Sequence, residues 1–178
     1  LIRTSGGTGP ATVQRSPDYG CVLEDGFVAA TEFRIFHVAP GDTSARLELS
    51  GLVVANGCAD GTELAGSGGG ILVERNGSLV VSGGTQVAGN RAAAKGGGIH
   101  YQGSCEGCTL RLEGDATVTG NGARLGGGVS AHGSVAIAHT TVSSNTASWG
   151  GGGLYLSGSV SLTDVAVEDN RENASDEG

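Results

Sequence analysis

Three glycines followed by an aliphatic residue occur four times in this chain, as Gly68-Gly69-Gly70-Ile71, Gly96-Gly97-Gly98-Ile99, Gly126-Gly127-Gly128-Val129 and Gly151-Gly152-Gly153-Leu154. The last glycines of successive triplets are 28, 30 and 25 residues apart. A second mark keeps step with the first, a valine three residues before an asparagine: Val53/Asn56, Val87/Asn90, Val118/Asn121, Val142/Asn145 and Val167/Asn170. Two marks recurring together at such a period define a repeat architecture. A unit this short cannot enclose its own apolar side chains, so it buries them against copies above and below.

Within each unit the aliphatic residues alternate with others over three to five positions. Ile71-Leu72-Val73, Ile99-His100-Tyr101, Val129-Ser130-Ala131 and Leu154-Tyr155-Leu156 follow the triplets. Ser78–Val81, Thr109–Leu112, Ser134–Ile137 and Ser159–Leu162 form a second set. A third short piece carries the valine before the asparagine. Alternation sends successive side chains to opposite faces, which is the strand period. No window sustains a period of 3.6. The chain therefore reads as all-β, a parallel β-helix with three short strands per coil and roughly six or seven coils. Residues 34–178 are the regular repeats of this single solenoid, and residues 1–33 are irregular N-terminal coils.

Composition agrees with a narrow interior. Glycine supplies 35 of 178 residues, aromatics only 4%, and methionine none. Glycine serves the sharp bends, where a positive φ carries no steric penalty. The repeated asparagines Asn56, Asn90, Asn121, Asn145 and Asn170 are expected to stack as a ladder, because a buried amide without partners costs roughly 1–3 kcal/mol. Ile71, Ile99, Val129 and Leu154 are expected to form one inward column.

The triplet-plus-aliphatic motif and the hydrophobic-x-x-Asn motif resemble the repeats of chlamydial-type polymorphic outer-membrane proteins. They look still more like secreted bacterial β-helix proteins of the choice-of-anchor kind. The run from Arg34 to Gly41, followed by Leu47 to Gly57, is similar to the first coil of such proteins, and the resemblance extends to about Asn170. The chain departs from the chlamydial pattern in having valine where that pattern has phenylalanine, and glycine where it has alanine. The resemblance implies right-handed coiling, so the fold expected is a right-handed parallel β-helix. It also implies a secreted or cell-surface protein acting as a passenger or stalk.

The charge of −8 with a single lysine, Lys95, leaves no basic stripe for nucleic acid. No apolar run approaches the length of a membrane helix. Both ends read as cut from within a repeat array, so a segment of a longer protein is expected. The partners anticipated are flanking coils of the same chain or self-association, together with surface glycans or a cell-surface protein.

Cys21, Cys58, Cys105 and Cys108 form an even set, which in an extracellular chain pairs as disulfides with three connectivities open. The arrangement favoured is a local Cys105–Cys108 bridge and a Cys21–Cys58 bridge. A lone Cys-x-x-Cys is a weak zinc signal, and no metal or other cofactor is expected. His37, His100, His132 and His139 fall at non-converging positions and read as histidines of solvated faces.

Catalysis on a β-helix needs clustered carboxylates. Glu113, Asp115 and Asp164, with Arg111, lie on neighbouring coils but form no recurring pair. No Gly-Lys-Ser/Thr follows a triplet, so phosphate-loop chemistry is excluded. The expectation is a non-catalytic structural or adhesive module. The alternative is a carbohydrate-binding or polysaccharide-cleaving β-helix, marked by a groove holding carboxylates and Trp149 or Tyr155.

Overall fold

A computed structural model describes residues 10–14, 21 and 33–173. Among these residues every regular element is a strand, and every strand pairing is parallel. Three columns of strands run up the stack. The first holds Phe36–Val38, Ile71–Val73, Ile99–Gln102 and the beginnings of two long strands, Val129–Ser143 and Leu154–Glu168. Phe36, Ile71, Ile99, Val129 and Leu154 stand in one register. The second column holds Ala45–Ser50, Gly77–Ser82 and Thr109–Leu112 and continues into the same long strands. The third begins with Ala11–Gln14 and climbs through Leu52–Ala55, Gln86–Ala88 and Thr117–Thr119.

From Phe36 to Leu154 the chain thus makes about four turns. This is fewer than the six or seven coils read from the sequence. Residues 57–67 and 103–108 lengthen individual coils instead of adding new ones, and most of 1–33 lies outside the described residues. The sequence reading also missed a fourth column. Cys58–Ala59, Arg91–Ala92, Gly122–Leu125, Thr146–Gly150 and Arg171–Glu172 form a separate five-stranded sheet directly after each asparagine position.

The inward residues of the first three columns build one core. Ile71, Val73, Ile99 and Tyr101 meet Leu79, Val81, Leu110 and Leu112, with Val54, Val87, Val118 and Val142 closing the third side. Each aliphatic side chain buried this way contributes about 1.5–3 kcal/mol. Tyr101 is the largest of them, and burial pushes its phenol up to about 12.

Sharp corners separate the columns, and each corner recurs in every coil as a residue with positive φ. Between the second and third columns stand Gly51, Gly84, Asp115, His139 and Asp164, with φ of 67, 70, 62, 47 and 51°. Before the asparagine position stand Asn56, Gly89, Gly120, Ser144 and Asp169, with φ between 54 and 63°. Polar side chains appear at these corners because they tolerate the left-handed region better than branched ones. At the third corner, the first glycine of each triplet, no side chain fits. A Cβ on Gly68 would lie 2.5 Å from the carbonyl oxygen of Ile71.

Two disulfides fasten the coils. Cys21 bonds Cys58, and Cys105 bonds Cys108 across the tip of the 103–108 loop.

Candidate functional site

The asparagines Asn90, Asn121, Asn145 and Asn170 form a continuous side-chain ladder. Asn121 shows the full pattern. Its Oδ1 accepts from the backbone N–H and the Nδ2 of Asn90 at 2.9 and 3.0 Å. Its Nδ2 donates to the carbonyl of Val87 at 2.9 Å and to Oδ1 of Asn145 at 3.0 Å. The mark valines Val87, Val118 and Val142 are therefore the acceptors for the asparagine one coil on, and Val54 plays that part for Asn90. Every hydrogen-bonding position of the buried amide is used.

Asn56 does not belong to this ladder, contrary to the sequence reading. Val54, not Val53, pairs with Val87, which moves the asparagine one residue off the slot. Gly57 occupies the slot, and its backbone N–H donates to Oδ1 of Asn90 at 2.8 Å. Asn56 instead sits on the corner at φ 60°, where its Nδ2 donates to Oε1 of Gln14 at 3.3 Å.

The turn glycines serve this ladder directly. The second glycines, Gly69, Gly97, Gly127 and Gly152, press against backbone of the adjoining coil. A Cβ on the third ones, Gly70, Gly98, Gly128 and Gly153, would meet the side chains of Asn90, Asn121, Asn145 and Asn170.

Two grooves flank the stack. The larger, about 550 Å³, crosses the fourth column beneath the 57–67 loop and is lined by Asp60, Glu63, Arg91 and Arg124. The Arg124 guanidinium stacks over Trp149 at 3.8 Å from the ring centre. Arg34 reaches from the first coil to donate to the carbonyls of Leu64 and Ala65, which holds the overhanging loop. Asp60 Oδ2 is buried there without a hydrogen-bond partner among the described residues.

The second groove, about 520 Å³, lies on the outer side of the first column, among Arg75, Lys95, His100, Ser130, His132 and Tyr155. His100 corrects the sequence reading. It takes an outward position, in register with Leu72 and Ser130, yet it is only 4% exposed. Neither ring nitrogen makes a hydrogen bond of normal geometry. Burial pushes its pKa down to about 4, helped by the positive charges of Lys95 and Arg34 and partly opposed by the Ser130 backbone. The imidazole is therefore neutral at pH 7.

The other three histidines are exposed. His37 pairs with Glu74 at 2.7 Å, His132 Nδ1 lies 3.0 Å from the Ser157 hydroxyl, and His139 lies 3.4 Å from Asp164. The carboxylates considered for catalysis are not gathered at one place. Glu113 pairs with Arg111 two residues earlier, while Asp115 and Asp164 occupy corners. No group of three or more His, Cys, Asp or Glu suited to hold a metal ion occurs among the described residues. No helix among them is long and apolar enough to cross a membrane.

Comparison with protein-family models, curated proteins and solved structures gives no match to this chain. The fold and its grooves alone define it as a parallel β-solenoid with a buried amide ladder. Sequence reasoning missed the basic groove because its residues come from four coils and share no motif. The one available signal was the position of the single lysine, five residues before the outward-facing His100.

Proposed function

We propose that this chain is a non-catalytic extracellular structural or adhesive module that works within a longer stack of coils. The adjoining coil comes either from the same polypeptide or from another subunit. The observation that carries this reading is the last coil. Val160, Leu162 and Val167 are 41, 51 and 51% exposed, whereas Val135, Ile137 and Val142, in the same register one coil earlier, are 2, 1 and 0% exposed. Inward residues laid bare on a coil whose outer strand edge has no partner among the described residues form a template for further parallel pairing.

The two disulfides support an oxidising compartment. The proposal takes the chain to be a relative of secreted bacterial β-helix repeat proteins. What supports this is the pairing of glycine triplets with an asparagine ladder. The surface carboxylates support a solvating role, since Glu48 and Glu113 lie against Arg46 and Arg111 two residues away.

Intact mass and light scattering of the protein isolated from its native source test the reading. A longer chain or a defined oligomer is expected. A concentration-independent monomer of these 178 residues alone would overturn it.

A further inference from the structure

The groove over the first column is a positive island on a protein of charge −8. Its lining holds Arg75, the only lysine of the chain, and two histidines, and it contains no carboxylate. Neither Arg75 nor Lys95 makes an ion pair among the described residues. The nearest acid in sequence, Glu74, is held by His37 at 2.7 Å. Two cations without a counter-charge beside one cavity are what an anionic ligand would complete.

The floor of the groove points the same way. His100 is buried and neither ring nitrogen makes a hydrogen bond of normal geometry, a condition that costs roughly 1–3 kcal/mol. The fold does not require an imidazole there, because the same row holds a buried leucine one coil earlier and a serine one coil later. Held neutral by burial and by the charges of Lys95 and Arg34, the ring cannot supply a further positive charge, but its N–H is left without a well-formed acceptor. The groove thus holds positive charge with no negative charge in its lining to answer it.

At about 520 Å³ the space exceeds what a bare ion fills. Tyr155, 46% exposed, offers a flat apolar face at the rim, and Ser130 and Ser157 add hydroxyls to the wall. We propose that this groove binds an acidic saccharide unit, its carboxylate or sulfate on Arg75 and Lys95 above His100, its ring against Tyr155. The inference rests on the groove's own residues and stands whether or not the stacking reading holds.

The test is an NMR titration of the full chain with glucuronate, glucose 6-sulfate, glucose and inorganic sulfate. Saturable shifts confined to residues around Lys95, His100 and Ser130 are expected with the two acidic sugars, weakening as salt is added. Lys95→Gln and Arg75→Gln should each weaken binding about tenfold, the size of one lost charge-assisted hydrogen bond. Arg111→Gln, on the second column, should leave it unchanged. No saturable shifts with either acidic sugar, equal binding of glucose, or no effect of Lys95→Gln would overturn the proposal. Inorganic sulfate binding as tightly as glucose 6-sulfate would overturn the assignment of a saccharide.

Discussion

Gly98 lies directly against the side-chain amide of Asn121: a Cβ built on the glycine would stand 3.1 Å from Cγ and from Nδ2 of the asparagine. The two marks that recur along the sequence, the glycine triplet and the valine–asparagine pair, are therefore one structural device. The absence of a side chain at one makes room for the hydrogen-bonded side chain of the other. The same contact joins Gly128 to Asn145 and Gly70 to Asn90.

Gly98→Ala should accordingly be damaging although it adds a single methyl group. The new carbon would also lie 2.7 Å from the carbonyl oxygen of Gly128, with backbone on that side and no flexible side chain to yield. Overpacking of this kind costs about 1–3 kcal/mol or more. Gly84→Asn is the matched control. Its corner is open to 4 Å, its φ is 70°, and Asp115 fills the same position one coil on. Urea unfolding of the two variants should show a large loss for the first and less than about 1 kcal/mol for the second.

Asn121→Ala should destabilise by at least about 2 kcal/mol, because it takes the side-chain partner from the Val87 carbonyl and the acceptor from the donors of Asn90 in a dry interior. Asn56→Gly should be nearly neutral. Asn56 stands on a positive-φ corner whose counterparts one and two coils along are Gly89 and Gly120. Equal losses from the two substitutions would mean that Asn56 belongs to the ladder after all.

His100 makes stability depend on pH in a defined window. Its folded pKa of about 4 lies below the ordinary 6.5, so between those values the unfolded chain binds a proton that the folded one does not. Stability attributable to this residue is complete above pH 6.5 and declines as the pH falls toward 4, by about 3 kcal/mol in all. His100→Leu, which places in this coil the residue that Leu72 already supplies one coil earlier, should flatten that part of the profile. Chemical unfolding of both proteins at pH 7, 5.5 and 4.5 measures the difference. Parallel profiles would refute the assignment.

Reducing agents should act unequally on the two bridges. Cys21–Cys58 closes a separation of 37 residues, and in the chain-entropy account its loss costs on the order of 4 kcal/mol. Cys105–Cys108 closes a separation of only 3, at the tip of a surface loop. The Cys21→Ser/Cys58→Ser double variant should melt well below the parent, and the Cys105→Ser/Cys108→Ser variant close to it.

The fold was legible because a solenoid repeats its demands. Gly70, Gly98 and Gly128 meet the same obstacle, and so they share a residue type that stands out against any background. What one coil does differently leaves no such trace. Val53 and Val54 are adjacent valines, so the pattern of a hydrophobic residue three before asparagine was met by Val53/Asn56 while the fold uses Val54 and Gly57. A glycine in the asparagine slot carries no side chain to mark it. The fourth column was hidden because strands such as Cys58–Ala59 and Arg91–Ala92 are too short to show an alternation. The burial of His100 was hidden because its row reads leucine, histidine, serine, with no common chemistry. Arg75, Lys95, His132 and Tyr155 become neighbours only when the coils are stacked.

The ladder also has a direction. From Asn90 to Asn121, Asn145 and Asn170, each amide nitrogen points its hydrogen at the oxygen of the next, never the reverse. Side-chain dipoles aligned head to tail polarise one another, as backbone dipoles do in a helix. The row is an electrical arrow laid along the axis of the stack. At Asn170 one amide hydrogen is spent on the Val142 carbonyl at 2.8 Å. By the pattern of Asn145, whose other amide hydrogen and backbone N–H both meet the next oxygen, those of Asn170 are placed to meet a following asparagine. This end of the molecule is a donor end, and a coil that continues the stack has to arrive with oxygen first.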